Sequence, residues 1–297
     1  MINQNLHRQP TGLDSAQHRN LKVKLPVADW SVGRDLNAVF VAAVEFIDVC
    51  HEFPIVFVKA GTEPDGSDSI APIAVLGLTQ NTNLYLTGER WRAQYMPAVL
   101  RSYPFCIARI SEERFAICFD AAWPGAQNDE GQPLFDAQGQ PTELLKNVQT
   151  QLETLEGEIQ RTRNVCKRFQ ELGLLQDMRF DVTLPDGGKH TVDGFMTLDE
   201  KKATALPDNV VAELHRSGLL GLMHLHWASL GSMRRLVDWH VERSAAAAPA
   251  ASAAACSPRR RPRPQARAGW RSAATTSAAR GLLRCTQSSK RWRAASP

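Results

Sequence analysis

The side chains whose spacing most suggests chemistry stand in His224-Leu225-His226, with His215 upstream and His240 downstream. Read as part of a strand, LLGLMHLHW, the run puts residues two apart on one face, so His224 and His226 would offer two imidazoles to one metal ion. A third ligand would come from His215, Asp181 or Asp193. The spacing equally suits two ordinary polar residues on a half-exposed strand, and no fourth ligand is evident.

A second group has the makings of a ligand pocket: Glu45, Trp91, Tyr95, Tyr103 and Trp123. Glu45 is an acid inside an apolar run, and a carboxylate buried there is a candidate acid or base. The four aromatic residues would line the walls, although core packing explains them equally well. Other catalytic signatures are missing. The chain has no P-loop, no GxGxxG, no GxSxG elbow, no HExxH and no EF-hand loop. Cys50, Cys106, Cys118 and Cys166 show no CxxC spacing. No cofactor is expected, and no catalytic residue is assigned.

The elements that must position these residues centre on His51 to Asp120. HEFPIVFV, APIAVLGL, NLYLTGERW and the pair FCIARI and ERFAICFD are β-branched and aromatic runs separated by turn signals. They predict a sheet built by local, mostly antiparallel connections. A turn at Ser111–Glu113 sets Cys106 opposite Cys118 and Ala108 opposite Ala116. In a reducing compartment the two cysteines are small buried thiols rather than a disulfide. Asp35–Cys50 reads as a helix, as does Trp91–Arg101 with Pro97 in its first turn or kinking it. The polar stretch between Ala121 and Pro141 reads as a loop and a possible subdomain boundary.

The strongest helical pattern follows. Leu145, Val148, Leu152, Leu155, Ile159, Thr162, Cys166 and Phe169 recur at threes and fours, with Thr162 the weak link. This 145–169 seam packs on the chain's own sheet or, alternatively, joins two copies as a homo-oligomer. Beyond Gly173 come a hairpin across Asp186-Gly187-Gly188, short helices opened by Asp199 and by Pro207-Asp208, and a final amphipathic helix over Leu230–Val241. The expected class is α+β: a central, mostly antiparallel sheet flanked by helices, one long helix linking two β portions, and a disordered C-terminal tail. The expected divisions are a flexible N-terminus at 1–20, a body at 21–243 and the tail at 244–297.

Charge separates body from tail. The 297 residues carry +4 overall. From Ser244 onward there are ten Arg, one Lys and no acid, a charge of +11, which leaves the body with −7. An acidic body argues against a nucleic-acid-binding domain, so nucleic acid would be met only non-specifically, through the tail. The tail itself has no apolar period and too little apolar surface to fold. Its abrupt Ala, Pro, Ser and Arg composition is what GC-rich DNA gives when read out of frame. No window approaches the roughly 18 to 20 apolar residues of a membrane span. The N-terminus lacks the apolar core of a secretory signal, so the expected location is cytoplasmic.

Several pieces of the body together resemble the SapC family of bacterial proteins, named after a surface-array (S-layer) associated protein. They are Glu45 followed by Phe53-Pro54-Ile55-Val56-Phe57, then Trp91, Tyr95-Met96-Pro97 and Arg101-Ser102-Tyr103-Pro104-Phe105, and last Ala228-Ser229-Leu230. The resemblance runs from about Leu21 to Arg243, and the tail has no part in it. Phe53 stands where the family often shows Tyr, which weakens any role for a hydroxyl there. The resemblance implies a Gram-negative source, a link to the cell surface, and a neighbourhood of tryptophan-halogenase-like and outer-membrane-receptor genes. It supplies no catalytic residues. The function that follows is a non-enzymatic accessory or binding protein of cell-envelope or uptake systems, with an unidentified protein or small-molecule partner. The alternative is a metal-dependent enzyme using His215, His224 and His226.

Overall fold

The computed structural model describes residues 3–63, 65–110, 115–183, 189–247, 283–287 and 291–293. In its first part lie β1 (Pro10–Gly12), β2 (Lys22–Val23), β3 (Ala38–Phe40), α1 (Phe46–Val49), β4 (Ile55–Thr62) and β5 (Asp68–Val75). Next come β6 (Leu86–Thr87), β7 (Arg90–Trp91), α2 (Ala98–Arg101), β8 (Phe105–Arg109), β9 (Phe115–Asp120), β10 (Ala126–Gln127) and β11 (Gln132–Pro133). The long α3 (Glu143–Glu171) leads to the hairpin β12 (Leu175–Thr183) and β13 (Lys189–Leu198). Four helices close the body: α4 (Glu200–Thr204), α5 (Asp208–Arg216), α6 (Leu219–Ser229) and α7 (Met233–Ala247).

The class is α+β, as the pattern of runs predicts. The main sheet is antiparallel in the order β3-β5-β4-β13-β12. Its two halves meet where Met196 of β13 faces Phe57 of β4, so the long α3 does connect two β portions. A second sheet, β1-β9-β8, carries the predicted register, with Cys106 opposite Cys118 and Ala108 opposite Ala116. Both thiols are free and buried, and burial pushes Cys106 up to about 12. The turns predicted at Ser111–Glu113 and Asp186–Gly188 lie outside the described residues.

α3 starts at Thr142, whose hydroxyl accepts the Leu145 amide, and ends before Gly173 in the left-handed region (φ +63°). Its buried stripe is Leu145, Leu152, Ile159, Thr162, Cys166 and Phe169, packed on β5, β8 and the 3-10 turn Ala43–Glu45. Thr162 turns out to be an anchor. Its Oγ1 accepts the Ala43 amide at 2.9 Å and donates to the Glu158 carbonyl at 2.7 Å. That satisfies a backbone donor that the apolar seam would otherwise leave orphaned.

Four sequence expectations are corrected. Asp35–Cys50 is not one helix: β3 pairs with β5, Val39 facing Ala74, and only the 3-10 turn and the single turn of α1 are helical. The edge of the sheet claims Ala38–Phe40, which interrupts the helical period. Trp91–Arg101 is extended until Pro97, and only Ala98–Arg101 is α-helical; a residue before proline is pushed out of helical geometry. NLYLT contributes only the two-residue β6. The largest correction is LLGLMHLHW, which is helix α6 and not a strand. A run apolar on every side has no period to distinguish the two, and Gly218 (φ +77°) ends α5 and starts α6.

The stretch between Ala121 and Pro141 also holds more structure than a loop, since β10 and β11 flank β2 on both sides. The approach is close at Gly131 (φ +117°), where a Cβ would stand 2.6 Å from the Val23 carbonyl oxygen. One buried apolar cluster runs from Leu6 through Leu134 and Phe135 to Val237. Near the N-terminus Leu6 and His7 are buried and β1 pairs with β9, so these residues are tied to the body. Most of the tail lies outside the described residues. β14 (Leu283–Gln287) and β15 (Arg291–Arg293) run along the outer edge of β12.

Ile159 is 2% exposed and Leu155 only half-buried. We therefore expect Ile159→Ala to cost about 2–5 kcal/mol in urea unfolding, and Leu155→Ala distinctly less. Equal costs, or a change in mass by light scattering for either variant, would show that this helix face meets another copy instead.

Candidate functional site

Glu45 sits at the end of the 3-10 turn and is 4% exposed. One carboxylate oxygen accepts the Tyr95 hydroxyl at 2.7 Å and the Ala98 amide at 2.7 Å; the other accepts the Ala42 amide at 2.8 Å. This one side chain therefore closes its own turn and fixes the entry to α2. Burial first, and then the Glu45 carboxylate, push the Tyr95 hydroxyl far above its ordinary value, so it remains a donor. The Arg101 guanidinium lies 5.4 Å from the centre of the Tyr95 ring.

Glu52, at the end of the following turn, does the same work one layer away. Its carboxylate accepts the Gln94 amide at 3.0 Å and the Tyr95 amide at 2.8 Å. Its backbone carbonyl accepts the Tyr85 hydroxyl at 2.6 Å and Arg235 Nη1 at 3.3 Å. Between these polar posts runs an aromatic stack. Phe53 lies on Tyr85 (centroids 4.3 Å apart) and on Trp91 (6.1 Å), while Trp239 meets Tyr85 edge-on at 5.1 Å. The Trp91 indole N–H donates to the Tyr95 carbonyl at 2.9 Å.

The five residues read as one pocket fall into two groups. Glu45, Trp91 and Tyr95 share the knot just described. Tyr103 and Trp123 belong to another, where the Tyr103 hydroxyl donates to Asp120 Oδ2 at 2.9 Å and the ring packs against His7, Trp30 and Trp123. Asp120 is 1% exposed, and its other oxygen accepts the Gln9 and Ala122 amides. Asp120 and Glu52 escaped the sequence reading. The former closes the alternation of ERFAICFD and the latter precedes Phe53-Pro54, positions at which a carboxylate meets free backbone amides.

The histidines are not brought together. On α6 residues two apart point to opposite sides, so the shared face expected of His224 and His226 does not exist. His224 is exposed, with Nδ1 2.7 Å from the Leu220 carbonyl oxygen, and His215 is exposed on α5. His226 is fully buried; its Nε2 accepts the Leu198 amide at 3.1 Å, leaving the proton on Nδ1. Burial pulls it down to about 3, against a weak upward pull from the Ile55 carbonyl. Asp181 lies on β12, held by Arg179 and Thr191, and Asp193 lies on β13. Among the described residues no group of three or more His, Cys, Asp or Glu is placed to hold a metal ion.

The site thus defines an α+β protein whose buried acids serve as architectural posts. The chain belongs to the SapC family, whose model matches residues 13–236. No curated protein and no solved structure matches it. The pieces that carry the family resemblance meet in space: Glu45 with Tyr95, Phe53 with Trp91, and Ile55 with Ser229, whose hydroxyl accepts the Ile55 amide at 2.9 Å. Among the described residues no helix is long and apolar enough to cross a membrane.

Tyr95→Phe, which removes one donor to a buried charge, is expected to cost about 1.5–3 kcal/mol by denaturant unfolding. Glu45→Gln should cost at least as much, because its amide group must face a backbone N–H. No loss in either variant would mean that the Glu45 knot does not hold the turn. His226 sets a pH dependence. Its folded-state value lies below the ordinary imidazole value of 6.5, so the unfolded chain binds that proton more readily. Its contribution is complete above about pH 6.5 and is lost as pH falls toward about 3. His226→Gln should flatten that part of the stability curve, and an unchanged slope would remove the histidine from the account.

Proposed function

We propose that this SapC family member is a non-enzymatic binding or accessory component serving cell-envelope or uptake systems. The observation that carries this reading is the engagement of its structural acids, Glu45 and Asp120 buried and Glu52 half-buried. Every carboxylate oxygen of Glu45, Glu52 and Asp120 is already engaged by an amide or a tyrosine hydroxyl of the same chain. A general acid or base needs a proton within reach of a substrate, and each of these oxygens already accepts a hydrogen bond that holds the fold. The histidines of the metal-enzyme alternative stand apart on α5 and on two sides of α6, which favours the binding reading further. The link to the envelope comes from the family resemblance.

Two measurements test it together. The purified chain should contain no stoichiometric zinc or iron by elemental analysis. Expressed at native level in its source, it should sediment with the envelope fraction. One equivalent of metal, lost in His224→Ala/His226→Ala, would favour the metal-dependent alternative, and exclusive recovery away from the envelope would overturn the accessory role.

A further inference from the structure

Charge pairing on the body is uneven. Arg109, Arg161, Arg168 and Arg179 each meet a carboxylate. Arg92, Arg235 and Arg243 make no ion pair with any described residue, although the body as a whole is acidic. The three are nevertheless gathered. Arg92 lies over the Trp239 ring, 3.7 Å from its centre, and Arg235 lies 6.0 Å from that centre. Arg243 Nη1 donates to the Asn83 carbonyl at 2.9 Å, and Arg92 Nη1 reaches the carbonyl of the next residue, Leu84, at 3.5 Å.

The fold holds this cluster in place from both sides. Arg235, Trp239 and Arg243 recur every fourth residue along one face of α7. The 83–84 segment is brought back over the end of β5 at Gly77, where a Cβ would stand 1.8 Å from the Thr82 carbonyl oxygen, so only glycine fits. Asn83 is buried and locked by its own bonds to the Gly33 carbonyl and the Tyr85 amide. Glu52, whose backbone carbonyl Arg235 holds, has both carboxylate oxygens occupied by amides and supplies no counter-charge contact.

We infer that Arg92, Arg235 and Arg243, ordered around Trp239, form a binding site for a phosphate group. Each guanidinium has five N–H donors, and the bonds described use one apiece, so the remainder are free for an anion. Planar guanidinium forks match phosphate oxygens in pairs. A phosphate, with up to two negative charges on one centre, matches three clustered cations better than a single carboxylate does. Cation–π stacking on Trp239 and the backbone carbonyl contacts hold the side chains in place before the anion arrives, which lowers the entropy lost on binding. The inference rests on the binding role proposed above and names its ligand chemistry. The phosphate is either free or part of a lipid headgroup.

The test uses the full chain at constant ionic strength, following tryptophan fluorescence and heat of binding. The probes are inorganic phosphate, and vesicles of phosphatidylglycerol against phosphatidylcholine alone. Arg92→Gln/Arg243→Gln alters two exposed side chains, so without phosphate it should still fold and melt cooperatively, close to the parent. Its affinity for the phosphate source should fall at least tenfold. Arg259→Gln/Arg260→Gln/Arg261→Gln, in the basic tail, should bind as the parent does. Saturation by inorganic phosphate identifies free phosphate as the source; binding only to phosphatidylglycerol vesicles identifies the headgroup. The site is overturned if the Arg92/Arg243 variant binds as the parent, if the tail variant abolishes binding, if acetate competes equally, or if neither probe binds. Such a failure leaves the envelope fractionation result intact, since that measurement does not depend on these arginines.

Discussion

The carboxylate of Glu45 is the constraint on which the centre of this fold depends. A buried charge must be fully hydrogen-bonded or it costs more than its surroundings return. Here its partners come from three separate places: Ala42 on its own turn, the hydroxyl of Tyr95, and the amide of Ala98 at the start of α2. Removing it would leave the Ala42 and Ala98 amides without that acceptor and would release the segment joining the main sheet to the β8–β9 hairpin. The same turn is held from its other side by Thr162 of the long helix. One acid and one hydroxyl thus fix a short 3-10 turn between α3 and the aromatic stack.

This arrangement shows why the fold was more legible than the site. Strands and the long helix announce themselves through alternation and through 3-4 spacing, and the Cys106–Cys118 register follows from one turn position. Local pattern fails where a tertiary partner decides the geometry. Ala38–Phe40 looks helical until β5 claims it as an edge strand. The wholly apolar LLGLMHLHW carries no period, and its burial of Met223, His226 and Ser229 at every third residue is visible only once it is helical. Only as a strand does the run give His224 and His226 a shared face, and with it a metal site. Glu45 was found because an acid in an apolar run stands out, but its partners at Ala98 and Tyr95 lie about fifty residues away and no spacing rule points to them.

The aromatic residues divide in a way composition cannot anticipate. Trp91 and Tyr95 serve the Glu45 and Glu52 posts, whereas Tyr103 and Trp123 close over Asp120 and His7. In both groups a tyrosine hydroxyl donates to a buried carboxylate whose other oxygen caps backbone amides. The repetition makes an architectural device the economical explanation: a carboxylate gathers amides from distant loops, and a tyrosine hydroxyl adds one more donor. Family resemblance concentrated on these residues therefore follows from folding, whatever the molecule binds.

The charge distribution then acquires a different meaning. Glu45 and Asp120, which fasten the fold, are buried and hydrogen-bonded, so they contribute to the body's net charge from inside. The unpaired arginines around Trp239 lie at the surface of that same body. An acidic body repels an anion at long range, but within a Debye length of about 8 Å at physiological salt the local arrangement governs. Ordered guanidiniums, two of them over the Trp239 ring, can therefore select an anion that the acidic body repels. The +11 charge carried from Ser244 onward works in the opposite sense, attracting anions at long range by charge alone. Selectivity on this chain must come from the geometry that α7 and the 83–84 segment impose, not from the count of positive charges.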